Sequence, residues 1–453
     1  MLVASIRNLA DVEQALPLSD VIELRLDLFP SIDLEAIEAI VQQTTSLFTV
    51  HHHSDEILIA QLFHLKPHFF DLDYRTPPSF LQRMSHLHPD VKIILSYHNW
   101  EETPVDLLHL LSTMQSPYAY AYKIATTANS ILDSLRMLHF LKEHAEQHRL
   151  IGLCMGEKGE ITRILSPIFG SMMTYGAINS HSTTASGQLT LLDMIALYHH
   201  RSLNHETRIY GLIGHPILYS KGHLVHNAAM KDLSYNGVYV KMAVLADELP
   251  EVLRYARILG IRGLSVTMPL KEAVLSYLDA IEPQAEKMGA VNTLTIDDQE
   301  ISGFNTDGPA AVAVLEKITS LQDKKVVILG AGGVAKAIAY SLSQRGARLL
   351  IFNRTARHAQ LLAQQVGGDG FELDQLDSVL TQQGFDILIH CSPQDPVIEA
   401  HHFDPSSIVM DVRMHSTVFL QQAAKQGAQI VHGHALFIEQ AIYQEEIWFN
   451  RSK

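Results

Sequence analysis

The segment GAGGVA, residues 330–335, follows the apolar run VVIL and opens an amphipathic stretch, KAIAYSLSQ. In that setting G-x-G-x-x-A binds a dinucleotide. Gly330 permits the tight turn, Gly332 lets the backbone approach a pyrophosphate, and the free N–H groups of a helix start face the anion. Ala331, Gly333, Val334 and Ala335 complete the loop. About twenty residues on, where an NAD site would carry an acidic residue for the ribose, the chain reads Asn353-Arg354-Thr355 after RLLIF. A guanidinium there suits a 2′-phosphate through charge-assisted hydrogen bonds, so the expected cofactor is NADP(H) and the expected chemistry hydride transfer.

A second set of polar residues interrupts or closes apolar runs in the N-terminal half: Glu23 and Arg25 in VIELRLD (21–27), His98 at the end of KIILSYH (92–98) and Lys123 in AYKIAT (121–126). Five further runs, LVASI at the start, SLFTVH (46–51), FFDLDY (69–74), LIGLCMG (150–156) and MTYGAI (173–178), bring the total to eight. Helical patterns lie between them, such as Asp33 to Gln43, Asn129 to His148 and Leu189 to His200. Buried strands alternating with crossover helices predict a parallel (β/α)8 TIM barrel, whose chemistry sits at the carboxyl ends of its strands. That location favours function over packing for the four residues.

The polar stretch HHRSLNHET (199–207) ends the pattern and a fresh strand, RIYGLIG, follows it. The expected domains are therefore a barrel over 1–203, a smaller α/β unit over 204–310, and a Rossmann nucleotide-binding unit over 311–453 whose last helix returns to the middle unit. A chain of 453 residues suits two or three cores. Its net charge of -15 excludes broad nucleic-acid or anionic-membrane binding. Only Cys154 and Cys391 are present, and MLVASIRNLADVEQ resembles neither a leader nor a span, so a reducing, cytoplasmic setting is expected. Despite 26 histidines, three of them consecutive at 51–53, no metal-ligand spacing occurs and no metal is expected.

Several ordered motifs go further. YGLIGHPILYSKGHLVHN (210–227), GLSVTMPLKEAV (263–274), MGAVNTL (288–294), FNTDG (304–308), the GAGGVAKA loop and NRT together resemble shikimate dehydrogenase. That resemblance implies Lys271 and Asp307 as the catalytic pair, with Ser220, Thr267, Asn292 and Gln440 meeting the substrate. A lysine beside a carboxylate can stabilise and protonate the alkoxide that forms as a ketone accepts hydride. Gly222 stands where the family's carboxylate clamp has its second serine, and Met414 where a tyrosine follows Asp-Val-Arg.

VIELRLDLF, ILSYHNWEETP, YKIAT, CMGEKGEITRI and STTASGQLTLLD resemble type I 3-dehydroquinate dehydratase. By that resemblance Lys123 is the Schiff-base lysine and His98 the general acid/base. Glu23, Arg25, Arg163, Thr184 and Gln188 meet the substrate, with Arg163 on its carboxylate. His51 stands in place of an arginine, and Asp55 at the acidic position that orients the histidine. An amine condensed with a ketone gives an iminium that acidifies the adjacent proton, which His98 would remove before helping a hydroxyl leave as water. Burial in an apolar barrel is expected to lower the lysine's pKa and free the amine. The two resemblances together imply conversion of 3-dehydroquinate to 3-dehydroshikimate and of that product to shikimate. The alternative is a quinate/shikimate dehydrogenase carrying a barrel that binds without turnover. The expected partners are these small molecules, with no nucleic acid and no membrane.

Overall fold

Each of the eight runs forms a strand in the computed structural model, which describes residues 1–50 and 56–449. They are β1 (Leu2–Ile6), β2 (Val21–Arg25), β3 (Ser46–Thr49), β4 (Phe69–Asp73), β5 (Lys92–His98), β6 (Ala121–Thr127), β7 (Leu150–Met155) and β8 (Thr174–Gly176). The sheet order β7-β6-β5-β4-β3-β2-β1-β8 is parallel throughout. The backbone N–H of Met172, just before β8, donates to Leu150 O on β7 at 2.7 Å and brings the ends of the sheet together. The helices between strands start where the sequence provides caps. Asp33 accepts from Ala36 N ahead of Leu34–Gln43, and Ser130 and Asp133 form a capping box at the head of Ile131–His144.

In such a barrel the inward side chains stack in layers of four, drawn from alternate strands. Val3, Leu47, Phe69, Ile94, Ala121, Ile151 and Tyr175 belong to one apolar cluster. The even strands contribute a different layer toward the carboxyl end: Glu23 from β2, Asp71 from β4 and Lys123 from β6, with the Tyr175 ring of β8 against the lysine. All four are buried.

Twelve further strands follow among the described residues. A mixed sheet contains β9 (Arg208–Gly214), β10 (Gly237–Ala243), β11 (Ile261–Val266), β12 (Ala280–Ile281), β13 (Thr293–Ile296) and β14 (Ile301–Phe304), in the order β10-β9-β11-β13-β14-β12. A parallel Rossmann sheet contains β15 (Lys325–Leu329), β16 (Arg348–Asn353), β17 (Asp369–Glu372), β18 (Ile387–His390), β19 (Ile408–Asp411) and β20 (Gln429–Val431), in the order β17-β16-β15-β18-β19-β20. Apolar clusters line both of its faces. Its order reverses between β15 and β18, the point where an open α/β sheet receives its ligand.

By compactness the chain divides into residues 1–212 with 217–261, and residues 213–216 with 262–453. The segment 217–261 joins the barrel's unit because helix Leu249–Leu259 packs on Ile131–His144, where Ser130 Oγ donates to Glu248 and the His139 ring meets Tyr255. Among the described residues no helix is long and apolar enough to cross a membrane.

His200, in the turn that follows helix Leu191–Ala196, is 6% exposed and neither ring nitrogen has a partner among the described residues. Burial lowers its pKa to about 4. The fold therefore holds it neutral, while the unfolded chain takes up a proton near its ordinary 6.5. Its contribution to stability is full above pH 6.5 and is lost as pH falls toward 4, by about 3 kcal/mol. Urea midpoints measured across that window should fall less steeply for His200→Leu than for the native chain; parallel curves would show that the imidazole is not buried neutral.

Candidate active sites

Within the barrel, Lys123 Nζ lies 2.7 Å from Asp71 Oδ2, 3.8 Å from Glu23 Oε1 and 4.5 Å from the centre of the Tyr175 ring. Burial acts to lower its pKa, but Asp71, Tyr175 and Glu23 outweigh burial and raise it above the ordinary lysine value. The expectation that an apolar barrel frees the amine is therefore corrected: two carboxylates share the pocket and favour the ammonium. Glu23 is itself held, accepting from Ser5 Oγ and, at 2.8 Å, from Thr49 Oγ1.

Around this layer stand the other residues named from the sequence. Arg25 is turned onto Asp27 in a bidentate pair of 2.9 and 2.7 Å. Arg163, on helix Glu160–Leu165, is 1% exposed, and its Nε and Nη2 have no hydrogen-bond partner among the described residues. Burial lowers its pKa to about 10, so it stays cationic at neutral pH. A buried guanidinium with open donors is prepared for an anionic ligand. In the loop after β8, Gln188 Oε1 accepts from Thr184 N at 2.8 Å and from its hydroxyl at 3.2 Å. Gly187, at φ +69°, makes that turn where a Cβ would strike Gly156 O at 2.1 Å. His98 ends β5 with its ring stacked on Trp100, centroids 5.9 Å apart. Its ladder partner is Ala125, two residues beyond Lys123 on β6. His51 and Asp55 lie outside the described residues.

The second constellation lies in the unit of residues 262–453. Lys271, on the short helix Leu270–Ala273, forms an ion pair with Asp307, the first residue of helix Asp307–Glu316. Asn292 Nδ2 donates to Asp307 Oδ1 at 3.0 Å and to Thr306 Oγ1 at 2.9 Å, while its Oδ1 accepts from Thr306 N at 2.9 Å. Asn305 Oδ1 accepts from Asp307 N at 3.0 Å. The aspartate is thus fixed from its backbone and one carboxylate oxygen, leaving the other for the lysine. Thr267 follows β11 and is half-buried, with its N–H donating to Ile213 O at 2.9 Å. Ser220 belongs to the barrel's unit, where its Oγ accepts from Gly222 N at 3.3 Å. A Cβ on Gly222 would lie 3.1 Å from the Tyr239 hydroxyl.

The dinucleotide loop packs directly against this pair: a Cβ on Gly333 would sit 3.4 Å from Lys271 Cβ. Gly330 turns at φ +125°, and the space over Gly332 is open to 4 Å. Helix Gly333–Ser343 begins there and is clamped to the aspartate's helix through Gly308, whose Cβ would collide with Ala337 O at 2.6 Å. Asn353 is half-buried at the end of β16, Nδ2 donating to Thr355 O at 3.2 Å, and Arg354 is exposed beside it. The loop, Arg354 and the absence of an acidic residue at that strand end fit a phosphorylated dinucleotide.

Sequence reasoning missed some participants. Asp71 and Tyr175 lie inside recognised strand runs, and an acid interrupting FFDLDY was the available signal for the first. Gln444 was also missed. Gln440, named from the motif, is half-buried on the C-terminal helix Gly433–Phe449. One turn later, Gln444 is buried, donating to Asn292 O at 3.1 Å and Thr293 Oγ1 at 2.9 Å and accepting from Ser265 Oγ at 3.0 Å. With Trp448 Nε1 donating to Leu294 O at 2.9 Å, it ties the last helix to β13. The structure also gathers donor atoms of Asp377, His401 and His402 within 4.8 Å of one another, a cluster with no spacing signal in the sequence.

Comparison with known proteins follows the same division. Family profiles match the type I 3-dehydroquinase over residues 4–205, the shikimate dehydrogenase substrate binding domain over 212–294, and shikimate / quinate 5-dehydrogenase over 313–418. The shikimate biosynthesis protein AroDE of Chlamydia pneumoniae is 36% identical over 446 residues, 96% of this chain and 91% of that protein. The chain belongs to the bifunctional 3-dehydroquinate dehydratase/shikimate dehydrogenase family. The chloroplastic bifunctional enzyme of that name from Arabidopsis thaliana is 32% identical, over 95% of this chain and 77% of its own length. Among solved structures, a shikimate dehydrogenase in complex with NADP+ is similar to 55% of this chain and 92% of its own, at 35% identity and a TM-score of 0.51.

Gln444→Ala would strand three partners, Ser265 Oγ, Asn292 O and Thr293 Oγ1. The expected loss is about 3 kcal/mol, read from the urea transition that accompanies release of helix Gly433–Phe449. A loss below about 1 kcal/mol would mean that the side chain is not the tie.

Proposed function

We propose that residues 1–203 dehydrate 3-dehydroquinate to 3-dehydroshikimate through a Schiff base on Lys123, and that the remainder reduces this product to shikimate with NADPH. In this reading residues 204–310 form the substrate-binding domain and 311–453 the NADP-binding domain. The observation that carries it is the buried Lys123 held beside carboxylates, with the buried Arg163 within electrostatic reach of Glu23 and Tyr175 of the same layer and two of its donors open among the described residues. Arg163 anchors the substrate carboxylate, with Arg25, Thr184 and Gln188 meeting hydroxyls, and the family resemblance adds His51 and Asp55 to the substrate-binding set. Lys123 attacks the ketone. The iminium nitrogen then draws electrons from the adjacent carbon, His98 removes its proton, and the protonated imidazole assists departure of the hydroxyl as water.

In the second half, bound NADPH supplies the hydride. Lys271 donates to the ketone oxygen and stabilises the charge that develops there, while Asp307 holds the lysine and a ring hydroxyl. Ser220, Thr267, Asn292 and Gln440 hold the substrate's other polar groups. Gly330 to Ala335 meet the pyrophosphate and Arg354, between Asn353 and Thr355, the 2′-phosphate. NADP is favoured over NAD because the strand end presents a guanidinium and no carboxylate. The buried Cys154 and partly buried Cys391, both free thiols, suit a reducing cytoplasm. The ligands are these small molecules, with neither nucleic acid nor membrane among the partners.

Incubation with 3-dehydroquinate and sodium borohydride, followed by peptide mass spectrometry, tests the first half. Ligand mass on Lys123 is expected. Its absence in a protein that still reduces 3-dehydroshikimate would leave a binding barrel beside a working dehydrogenase.

A further inference from the structure

Attack by Lys123 needs a free amine, yet the barrel stabilises the ammonium. Burial alone would release the proton, but the neighbouring carboxylates and the Tyr175 ring hold the group charged. Some group near Nζ must therefore take a proton when the ketone arrives. His98, the proton carrier for the later steps, stands beside Ala125, one inward position beyond Lys123. The closer candidates are the two carboxylates of the same layer.

They differ in how they are held. Both oxygens of Glu23 already accept hydrogen bonds, from Ser5 and Thr49, and its nearest approach to Nζ is 3.8 Å. Glu23 is thus engaged at both oxygens and stands beyond hydrogen-bonding reach of the ammonium. Asp71 is fully buried, with one oxygen 2.7 Å from Nζ and the other, Oδ1, without a partner among the described residues. An unsatisfied carboxylate oxygen in a barrel interior is costly as a structural feature and is kept where the charge is used. Asp71 stands in ladder register with Ile94 of β5, so only one strand separates it from Lys123, and no rearrangement is needed for transfer.

We propose that Asp71 is the proton acceptor that activates Lys123, a catalytic role that rests on the Schiff-base reading above. Oδ2 takes one proton from the ammonium, leaving a neutral amine and a neutral carboxylic acid. The amine adds to the carbonyl carbon, its nitrogen's extra proton passes to the alkoxide, and a carbinolamine results. Asp71 then returns its proton to the carbinolamine hydroxyl. The C–O bond breaks, water leaves, and the nitrogen lone pair forms the C=N bond of the iminium. The aspartate ends ionised beside a cationic nitrogen, ready to repeat the cycle in reverse when the imine is hydrolysed.

The test measures the rate of borohydride-trappable adduct on Lys123 in the full-length protein with 3-dehydroquinate, as a function of pH, for the native chain, Asp71→Asn and Asp71→Ala. Native protein without adduct would remove the Schiff-base reading and this one with it. With adduct in the native chain, Asp71→Asn is expected to form it about 10²–10⁴-fold more slowly at neutral pH. The rate should climb with pH as solvent takes over the proton, and should reach the same final adduct stoichiometry. Formate, which restores the missing carboxylate, should accelerate adduct formation in Asp71→Ala and leave the native rate unchanged. Adduct formation within threefold of native in both variants, with the native pH profile, would overturn the proposal. So would a pH-independent loss that formate does not relieve, which would make Asp71 structural.

Discussion

An ammonium taken out of water is tolerable only against an opposite charge, and each half of this chain is organised around that constraint. In the barrel the even strands bring Glu23, Asp71, Lys123 and Tyr175 into one layer, a place that in most barrels is filled by branched apolar side chains. In the second unit Lys271 meets Asp307, which Asn292 and Asn305 fix from below. Removing one member of such a buried pair costs about 3–5 kcal/mol because the other is left uncompensated. Strand register, helix starts and the Gly308 contact are placed so that neither pair is broken.

The same pairing serves two chemistries because of what surrounds it. Lys123 is enclosed by strands with Asp71 2.7 Å from its Nζ, and in the proposed reading that carboxylate takes its proton so that the amine becomes a nucleophile. Lys271 sits on a short helix against the dinucleotide loop, and in the proposed reading it gives a proton to the oxygen of a carbonyl whose carbon accepts the hydride. One chain supplies both activities in equal amounts, and the product of the first is the substrate of the second.

Much of this was legible in the sequence. KIILSYH is a strand at the residues read for it, and Asp33 caps the helix expected after it. MTYGAI shortened to Thr174–Gly176, and Ala177 pairs instead with Thr190 in an isolated bridge. The turn at Gly330 and the helix that opens at Gly333 were readable because a tight turn imposes residue types locally. The state of Lys123 was not. Periodicity marks Asp71 and Asp73 as one face of a strand, but which of them meets a lysine fifty-two positions away depends on how β4 and β6 close around the barrel. Gln444 was hidden for the same reason, since its partners lie on β11 and β13, far along the chain.

The most direct test of the whole account is a single-protein assay of NADPH consumption, started separately with 3-dehydroquinate and with 3-dehydroshikimate, for the native chain and Lys123→Met. The native chain is expected to consume NADPH from both, and Lys123→Met from 3-dehydroshikimate alone. Consumption from 3-dehydroquinate that survives the loss of Lys123, or that is absent in the native chain while 3-dehydroshikimate is reduced, would contradict a barrel that works through this lysine.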